Sequence, residues 1–341
     1  LENAGTAFRP LTALLATGRG EFVIDGNAQM RERPIRDLVA GLAQLGVNVA
    51  CEENGCPPVR LQANGIAGGT VEMSGRVSSQ YISAVLMAAP FATDEDLAIV
   101  LPTEPVSKPY IDLTIAMMAD FGVLVGREGY RQFRTARGQR YRSPGEYRIE
   151  GDASAATYFL GAGALPGQGP VRVIGLSRES RQGDVRFAEL LREMGAEISY
   201  GPDYIEASGP AAGQQLRAID RDMNAMPDAA MTAAVRALFA DGESHIRNIA
   251  NLRVKESERI RGLRTELEKL GAAVVEEEDA LHITPPLNGG LREASIATYK
   301  DHRMAMAFAL AAFGTPLTIQ DPACVSKTYT RFFDDLLPLT K

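Results

Sequence analysis

The chain has 341 residues, 45 % hydrophobic and 23 % charged, with 36 basic against 43 acidic side chains and a net charge of −7. That size suits two domains better than one, and the composition is that of an ordinary globular protein. The acidic balance argues against a nucleic-acid partner, so any anion site must be a local cluster of cations. No apolar run is long enough to span a bilayer, so no membrane contact is expected; no basic-then-apolar leader opens the chain, and the expected location is cytoplasmic.

The opening, "LENAGTAFRPL", reads as an apolar helix with no strand before it. "GEFVIDG" follows as a strand, "RPIRDLVAGLAQLG" as an amphipathic helix and "VNVAC" as a β-prone segment. Cys51 and Cys56 flank "EENG", a hairpin turn, and together with Cys324 they read as reduced thiols. Then come the strand "GTVEMSG", a helix opening at "VSSQYISAV", the strand "LAIVLP" and a helix from Lys108 to Phe121. The Pro- and Gly-rich "GQRYRSPGEYRIEGD" places a domain boundary near Glu150, giving domains 1–150 and 151–341. Beyond it "EYRIEG", "PVRVIG", "ESHIRNI", "LHITPP" and "PLTIQDP" read as strands, with helices near Ser154, Gln182, Asp228, Lys255, His302 and Lys327. The histidines are only His245, His282 and His302, which argues against a His-rich metal site, and no metal is expected.

These elements keep a beat. Leu45-Gly46, Phe121-Gly122, Met194-Gly195 and Leu270-Gly271 each end a helical pattern, with the glycines 76, 73 and 76 residues apart. Glycine there closes a helix, because it can adopt the left-handed conformation of the C-terminal cap. One set of helices starts at Arg33, Lys108, Gln182, Lys255 and Lys327, spaced 75, 74, 73 and 72; a more apolar set starts near Asn3, Ser78, Ser154, Asp228 and His302, spaced 75, 76, 74 and 74. Simple α/β alternation does not hold such a spacing through five cycles. The expected fold class is α/β, built of strand-helix repeats whose helices share a buried core.

The beat falls where strands hand over to helices, and helix N-termini attract anions. Four of the five first-set starts carry Arg or Lys. One such cation is ordinary surface charge; four in register point to an anionic ligand. Asp228 in "NAMPDAAMTAA" is either a helix N-cap or a general base. "VSSQY" offers Ser78, Ser79 and Gln80 as neutral donors, and "KDHRMAM" sets Asp301, His302 and Arg303 together. In "NLRVKESERI", Lys255 and Arg259 stand one helical turn apart around Glu256, either as a charge-laced helix face or as a site.

Together "NAGTAFRP", "RERPI", "VSSQY", "VSKPYID", "GDASAATYFL", "MPDAAMT", "NLRVKESERI", "YKDHRMAM" and "DPACVSKTY" resemble the 5-enolpyruvylshikimate-3-phosphate synthase family along the whole chain. The resemblance implies two domains of βαβαββ units around buried helices, with the active site between them. It implies transfer of the enolpyruvyl group of phosphoenolpyruvate to the 5-hydroxyl of shikimate 3-phosphate with release of phosphate, and no cofactor. By motif, Ser78, Ser79, Gln80, Ser107, Tyr110, Asp228, Asn251 and Lys255 look like shikimate 3-phosphate contacts. Asp228 and Glu256 look like the acid/base pair, with His302 beside them. Asn3, Gly5, Arg33, Gln80, Arg259, Arg303 and Lys327 look like the phosphoenolpyruvate pocket. Gly5, Thr6 and Pro10 match the family's glyphosate-sensitive pattern, which implies glyphosate as an inhibitor.

The family's N-terminal "PGSKS…NRAL" motif does not occur in these residues. The expectation is therefore a first domain with two of its three units, a second domain lacking one strand, and a split synthase completed by a separate N-terminal polypeptide. The alternatives are a binding module that holds shikimate 3-phosphate without turnover and, with less support, the enolpyruvyl transferase acting on UDP-N-acetylglucosamine. That transferase's loop with a reactive Cys has no counterpart here, and the charge and histidine context speak against an RNA-phosphate cyclase.

Overall fold

The computed structural model describes residues 1–287 and 290–340. Its contacts divide the chain into two compact units, Leu1–Arg148 and Ile149–Lys341. In the first the order is α1 (Gly5–Ala16), β1 (Arg19–Ile24), α2 (Arg36–Gln44), β2 (Asn48–Ala50), β3 (Val59–Asn64), β4 (Gly69–Glu72), α3 (Ser79–Ala88), β5 (Leu97–Val100), α4 (Lys108–Asp120), β6 (Val125–Glu128) and β7 (Gln132–Thr135). One sheet is antiparallel, ordered β1-β3-β2; the other, ordered β4-β5-β7-β6, pairs β4 parallel to β5 and is antiparallel elsewhere. β3 alternates buried and exposed residues, as a strand with one wet face must.

The second unit runs α5 (Ala153–Gly163), β8 (Val171–Ile174), α6 (Phe187–Glu193), β9 (Glu197–Tyr200), β10 (Tyr204–Ser208), β11 (Asp220–Asp222), α7 (Ala230–Arg236), β12 (Ser244–Arg247), α8 (Arg259–Lys269), β13 (Ala273–Glu276), β14 (Leu281–Thr284), β15 (Ala294–Ile296), α9 (His302–Phe308), β16 (Leu317–Ile319) and α10 (Phe332–Leu336). The sheet β11-β12-β14-β13 repeats the pairing of β4-β5-β7-β6 strand for strand, including the parallel first pair. β8-β10-β9 repeats β1-β3-β2, and β15-β16 repeats the parallel pair alone. The beat in the sequence is thus a βαβαββ unit.

The two helix sets play different parts. Every residue of α7 is buried, and α5 and α9 are nearly so, which is the mark of a helix packed on all sides. Equivalent residues of successive repeats meet there: the hydroxyls of Thr157 and Thr232 lie 3.0 Å apart. The buried Arg236 of α7 donates to the carbonyls of Gly161 and Ala164 at the C-terminal end of α5, two acceptors that the helix itself leaves unpaired. α8 instead buries one face, Ile260, Leu263 and Leu267, beside sheet strands. Each unit has its own apolar core.

Gly46, Gly122, Gly195 and Gly271 follow helix C-caps with φ of +83°, +83°, +108° and +99°, the conformation that the sequence reading required. The expected helix starts need correction. Lys108 lies inside its helix, but Arg33, Gln182 and Lys255 flank short 3-10 turns and Lys327 ends one, all ahead of the α-helices. Arg33 is extended (φ −92°, ψ 130°) because Pro34 follows it. Lys255 is not helical either (φ −86°, ψ −144°): the Glu258 carboxylate caps the Arg261 N–H, and α8 starts only at Arg259. Lys255 and Arg259 therefore do not stack on one helix face, and Lys255 does not stand on the positive end of α8. "EYRIEG" forms no strand; Pro144 and Gly145 precede it, no partner strand pairs with it among the described residues, and Ile149 is exposed.

Candidate functional site

In the first unit, α1 begins at Gly5, and Arg9 follows one turn later on the same face. Arg9 is buried and donates from Nη1 to Gln80 Oε1 at 2.9 Å and from Nη2 to the Pro34 carbonyl at 3.3 Å. Arg33 donates from Nη1 to the backbone carbonyl and the side-chain oxygen of Asn3, both at 3.1 Å. Tyr81 donates to the Pro34 carbonyl at 2.6 Å, and the Arg9 guanidinium lies 5.6 Å from the centre of its ring. Gly5 fits between the two arginines only for want of a side chain: a Cβ there would lie 2.1 Å from Arg9 Nη1 and 3.0 Å from both terminal nitrogens of Arg33. Asn3, Gly5, Arg33 and Gln80 are thus brought together, with Arg9 as the link. Ser78 is the N-cap of α3, its hydroxyl accepting from Gln80 N–H at 3.2 Å, and Ser79 is the buried first residue. Ser107 precedes α4 in the left-handed region (φ 56°) without capping it, a strained placement for a non-glycine, and Tyr110 sits in the first turn.

In the second unit, one guanidinium organises the site. Arg259, fully buried, donates from Nη1 to Asp228 at 3.0 Å, from Nη2 to Glu256 at 2.7 Å, and from Nε to Asp301 at 2.8 Å. The other oxygen of Asp228 meets Arg303 Nη2 at 3.1 Å, and the other oxygen of Glu256 meets Lys327 Nζ at 2.6 Å. Asp228 caps no helix: the residue at the mouth of α7 is Ala229, with no side-chain cap. Asp301 caps α9 through the Arg303 N–H at 2.9 Å and accepts from the Ser257 hydroxyl at 3.0 Å. Arg303 Nη1 also donates to the Tyr158 hydroxyl at 3.3 Å. Asn251 is buried in the 3-10 turn Ala250–Val254 ahead of this cluster.

The charges set the protonation states. Burial opposes ionisation of Asp228, but Arg303, Lys255 and Arg259 outweigh it and hold its carboxyl well below the usual carboxylate range. Burial likewise works against Asp301, and Arg259 overcomes it. Burial and the adjacent Arg303 push His302 down to about 3, so its ring is neutral at physiological pH, 3.5 Å from Asp301. Burial pushes the Tyr158 hydroxyl up to about 12 and keeps it a neutral partner of Arg303. Two carboxylates, each gripped by two cations, make a cluster prepared for anions and for proton transfer.

The thiols Cys51, Cys56 and Cys324 are all free. Two histidines that sequence spacing kept apart, His245 and His282, are neighbours across β12 and β14. Among the described residues no helix is long and apolar enough to cross a membrane.

A family model described as "EPSP synthase (3-phosphoshikimate 1-carboxyvinyltransferase)" matches residues 1–336. The chain belongs to the EPSP synthase family. It is 52 % identical over 336 residues to a protein of Marinomonas sp. (strain MWYL1) named 3-phosphoshikimate 1-carboxyvinyltransferase, covering 98 % of this chain and 77 % of that one. It is 51 % identical over 343 residues to the like-named protein of Shewanella sediminis, covering 100 % and 79 %. The solved EPSP synthase of Acinetobacter baumannii superposes with a TM-score of 0.75 at 22 % identity, over 99 % of this chain and 78 % of that one. The enolpyruvyl transferase NikO of Streptomyces tendae gives 0.74 at 19 %, over 96 % and 75 %. The fold is the two-domain α/β enolpyruvyl transferase fold. Membership of the EPSP synthase family sets aside the transferase acting on UDP-N-acetylglucosamine and the cyclase. The comparisons lend no support to a split synthase or to a complementing polypeptide.

Sequence reasoning set Asp301 beside His302 and Arg303 without a contact to Arg259, and passed over Arg9 and Tyr158. Arg9 stands one helical turn from Gly5 and could have been found by that spacing; Asp301 and Tyr158 act through contacts that only folding creates.

Proposed function

We propose that the protein transfers the enolpyruvyl group of phosphoenolpyruvate to the 5-hydroxyl of shikimate 3-phosphate and releases phosphate. The observation that carries this is the Asp228–Arg259–Glu256–Lys327 chain of ion pairs, closed at its other end by Arg303. The reaction needs a base at the hydroxyl, an acid at the methylene carbon and cations for a phosphate and a carboxylate. Asp228 takes the hydroxyl proton as oxygen adds to C2; phosphoenolpyruvate, by drawing Arg259 and Lys327 onto its own anionic groups, lets Glu256 take up a proton from solvent and deliver it to the methylene carbon. Glu256 then takes a proton back from the new methyl group as the C–O bond to phosphate breaks, which restores the enol ether, and Asp228 gives its proton to the departing phosphate. Arg259, Arg303 and Lys327 in the second unit are assigned to the anionic groups of phosphoenolpyruvate, and Asn3, Gly5, Arg33 and Gln80 are assigned to the same ligand in the first, Gln80 also to shikimate 3-phosphate.

Asp228 is a weak base while Arg259 and Arg303 face it with no substrate anion between them. Phosphoenolpyruvate, by occupying those cations, raises the proton affinity of Asp228 once the substrate is in place. Ser78, Ser79, Ser107, Tyr110, Asn251 and Lys255 are assigned to shikimate 3-phosphate, and His302 to a neutral wall beside the pair. Glyphosate competes for the phosphoenolpyruvate pocket.

The test is phosphate release from phosphoenolpyruvate by the full chain. It should require shikimate 3-phosphate and fall by about 100-fold or more in Asp228→Asn, with shikimate 3-phosphate binding retained. A chain that neither releases phosphate nor binds either substrate overturns the proposal.

A further inference from the structure

We propose that Glu243, His245 and His282 form a binding site for a divalent transition-metal ion of the zinc class on the outer face of the β11-β12-β14-β13 sheet. β12 and β14 are antiparallel, and His245 lies directly opposite His282. Ser244 and Ile246 point into the core from β12, as do Leu281 and Ile283 from β14, so alternation sends both imidazoles to the opposite face. The rings stand perpendicular with centres 4.5 Å apart, and their Nδ1 atoms face each other at 2.5 Å. A tetrahedral ion with bonds of about 2.0–2.1 Å spaces two nitrogens roughly 3.4 Å apart, so a small ring rotation opens the pair to receive one.

Glu243 supplies the third ligand. One donor atom from each of the three residues falls within 4.8 Å of the others; Glu243 Oε1 stands 3.3 Å from His245 Nε2, so its carboxylate swings toward the paired Nδ1 atoms to complete the set. Surrounding groups orient these donors as outer partners do in metal sites. The Thr284 hydroxyl donates to Glu243 Oε2 at 2.9 Å. Glu277 Oε1 lies 3.2 Å from His282 Nε2, a nitrogen that makes no hydrogen bond, so a slight turn of the ring lets the carboxylate accept the Nε2–H and leaves Nδ1 for the metal. Two imidazoles and one carboxylate suit zinc, cobalt or nickel rather than magnesium or calcium. The side chains of His245, His282 and Glu243 are 33 %, 22 % and 47 % exposed, which gives the ion a path from solvent and leaves a coordination position for water. A bound ion would cross-link β12 to β14.

The test is titration of the full chain with Co²⁺, followed by visible absorption. One equivalent should give the bands of a four- or five-coordinate ion, abolished by His245→Ala and by His282→Ala and displaced by Zn²⁺. Glu277→Gln should weaken binding by about tenfold or more. Zn²⁺ should raise the Tm of the unaltered chain and of neither histidine variant. These substitutions lie outside the apolar core, and circular dichroism checks that they fold. Absence of Co²⁺ bands at one equivalent, or bands unchanged in both histidine variants, overturns the proposal.

Discussion

Asp301 grips Arg259 by two hydrogen bonds, from Nε at 2.8 Å and from Nη2 at 3.2 Å, and both side chains are fully buried. Removing one partner strands the other charge in the interior. Asp301→Ala should therefore cost about 3–5 kcal/mol in urea unfolding. The pH dependence carries a sign. The folded-state carboxyl is held below its ordinary range, so its contribution is fully present above roughly pH 5 and is lost as pH falls through and below the ordinary carboxylate value. The variant should show a shallower acid loss of stability than the unaltered chain.

His302 should remain neutral at pH 5 in the folded chain, because burial comes first and the Arg303 charge adds to it. With three histidines in the sequence, ¹⁵N NMR can follow this ring directly. The unfolded chain takes up this proton near pH 6.5 and the folded chain only near 3. His302 therefore makes stability fall as pH drops between those values. His302→Gln should flatten that slope, and a charged ring at pH 5 would contradict the geometry.

Gly5→Ala should weaken phosphoenolpyruvate and glyphosate by about tenfold or more, equivalent to roughly 1.4 kcal/mol, and leave shikimate 3-phosphate affinity unchanged. The added methyl would collide with Arg9 and crowd Arg33. Calorimetry with each ligand measures the split; equal loss for all three would show a general disturbance instead.

Gly195→Ala should cost about 1–2 kcal/mol, since only glycine holds φ of +108° there without a steric penalty. The nearest atom to an added Cβ would be Arg217 Nε at 3.9 Å, an ordinary contact, so the cost is conformational rather than steric with neighbours. Denaturant midpoints with an unchanged m-value would establish it.

The repeat was legible because its marks are local: a glycine after each helix and apolar faces at helical spacing. "NLRVKESERI" announced a charged site, and the fold placed Glu256 and Arg259 in it. What escaped depends on packing between distant segments. Arg9 meets Gln80 across 71 positions, Arg259 meets Asp301 across 42, and His245 meets His282 across 37 by strand register alone. Lys255 misled because a capping carboxylate at Glu258 delays the helix, and "EYRIEG" misled because a β pattern without a ladder partner stays unpaired.

Arg236 completes the C-terminus of α5 from a helix one repeat later, 75 positions on from Gly161. A solenoid's repeats can come apart one at a time; here the first helix of the second unit is left unfinished until α7 docks on it. Loss of α7 should therefore release α5 as well, and the amide protons at the end of α5 should exchange only through the same opening that exposes α7. α5 and α7 thus open as one cooperative body.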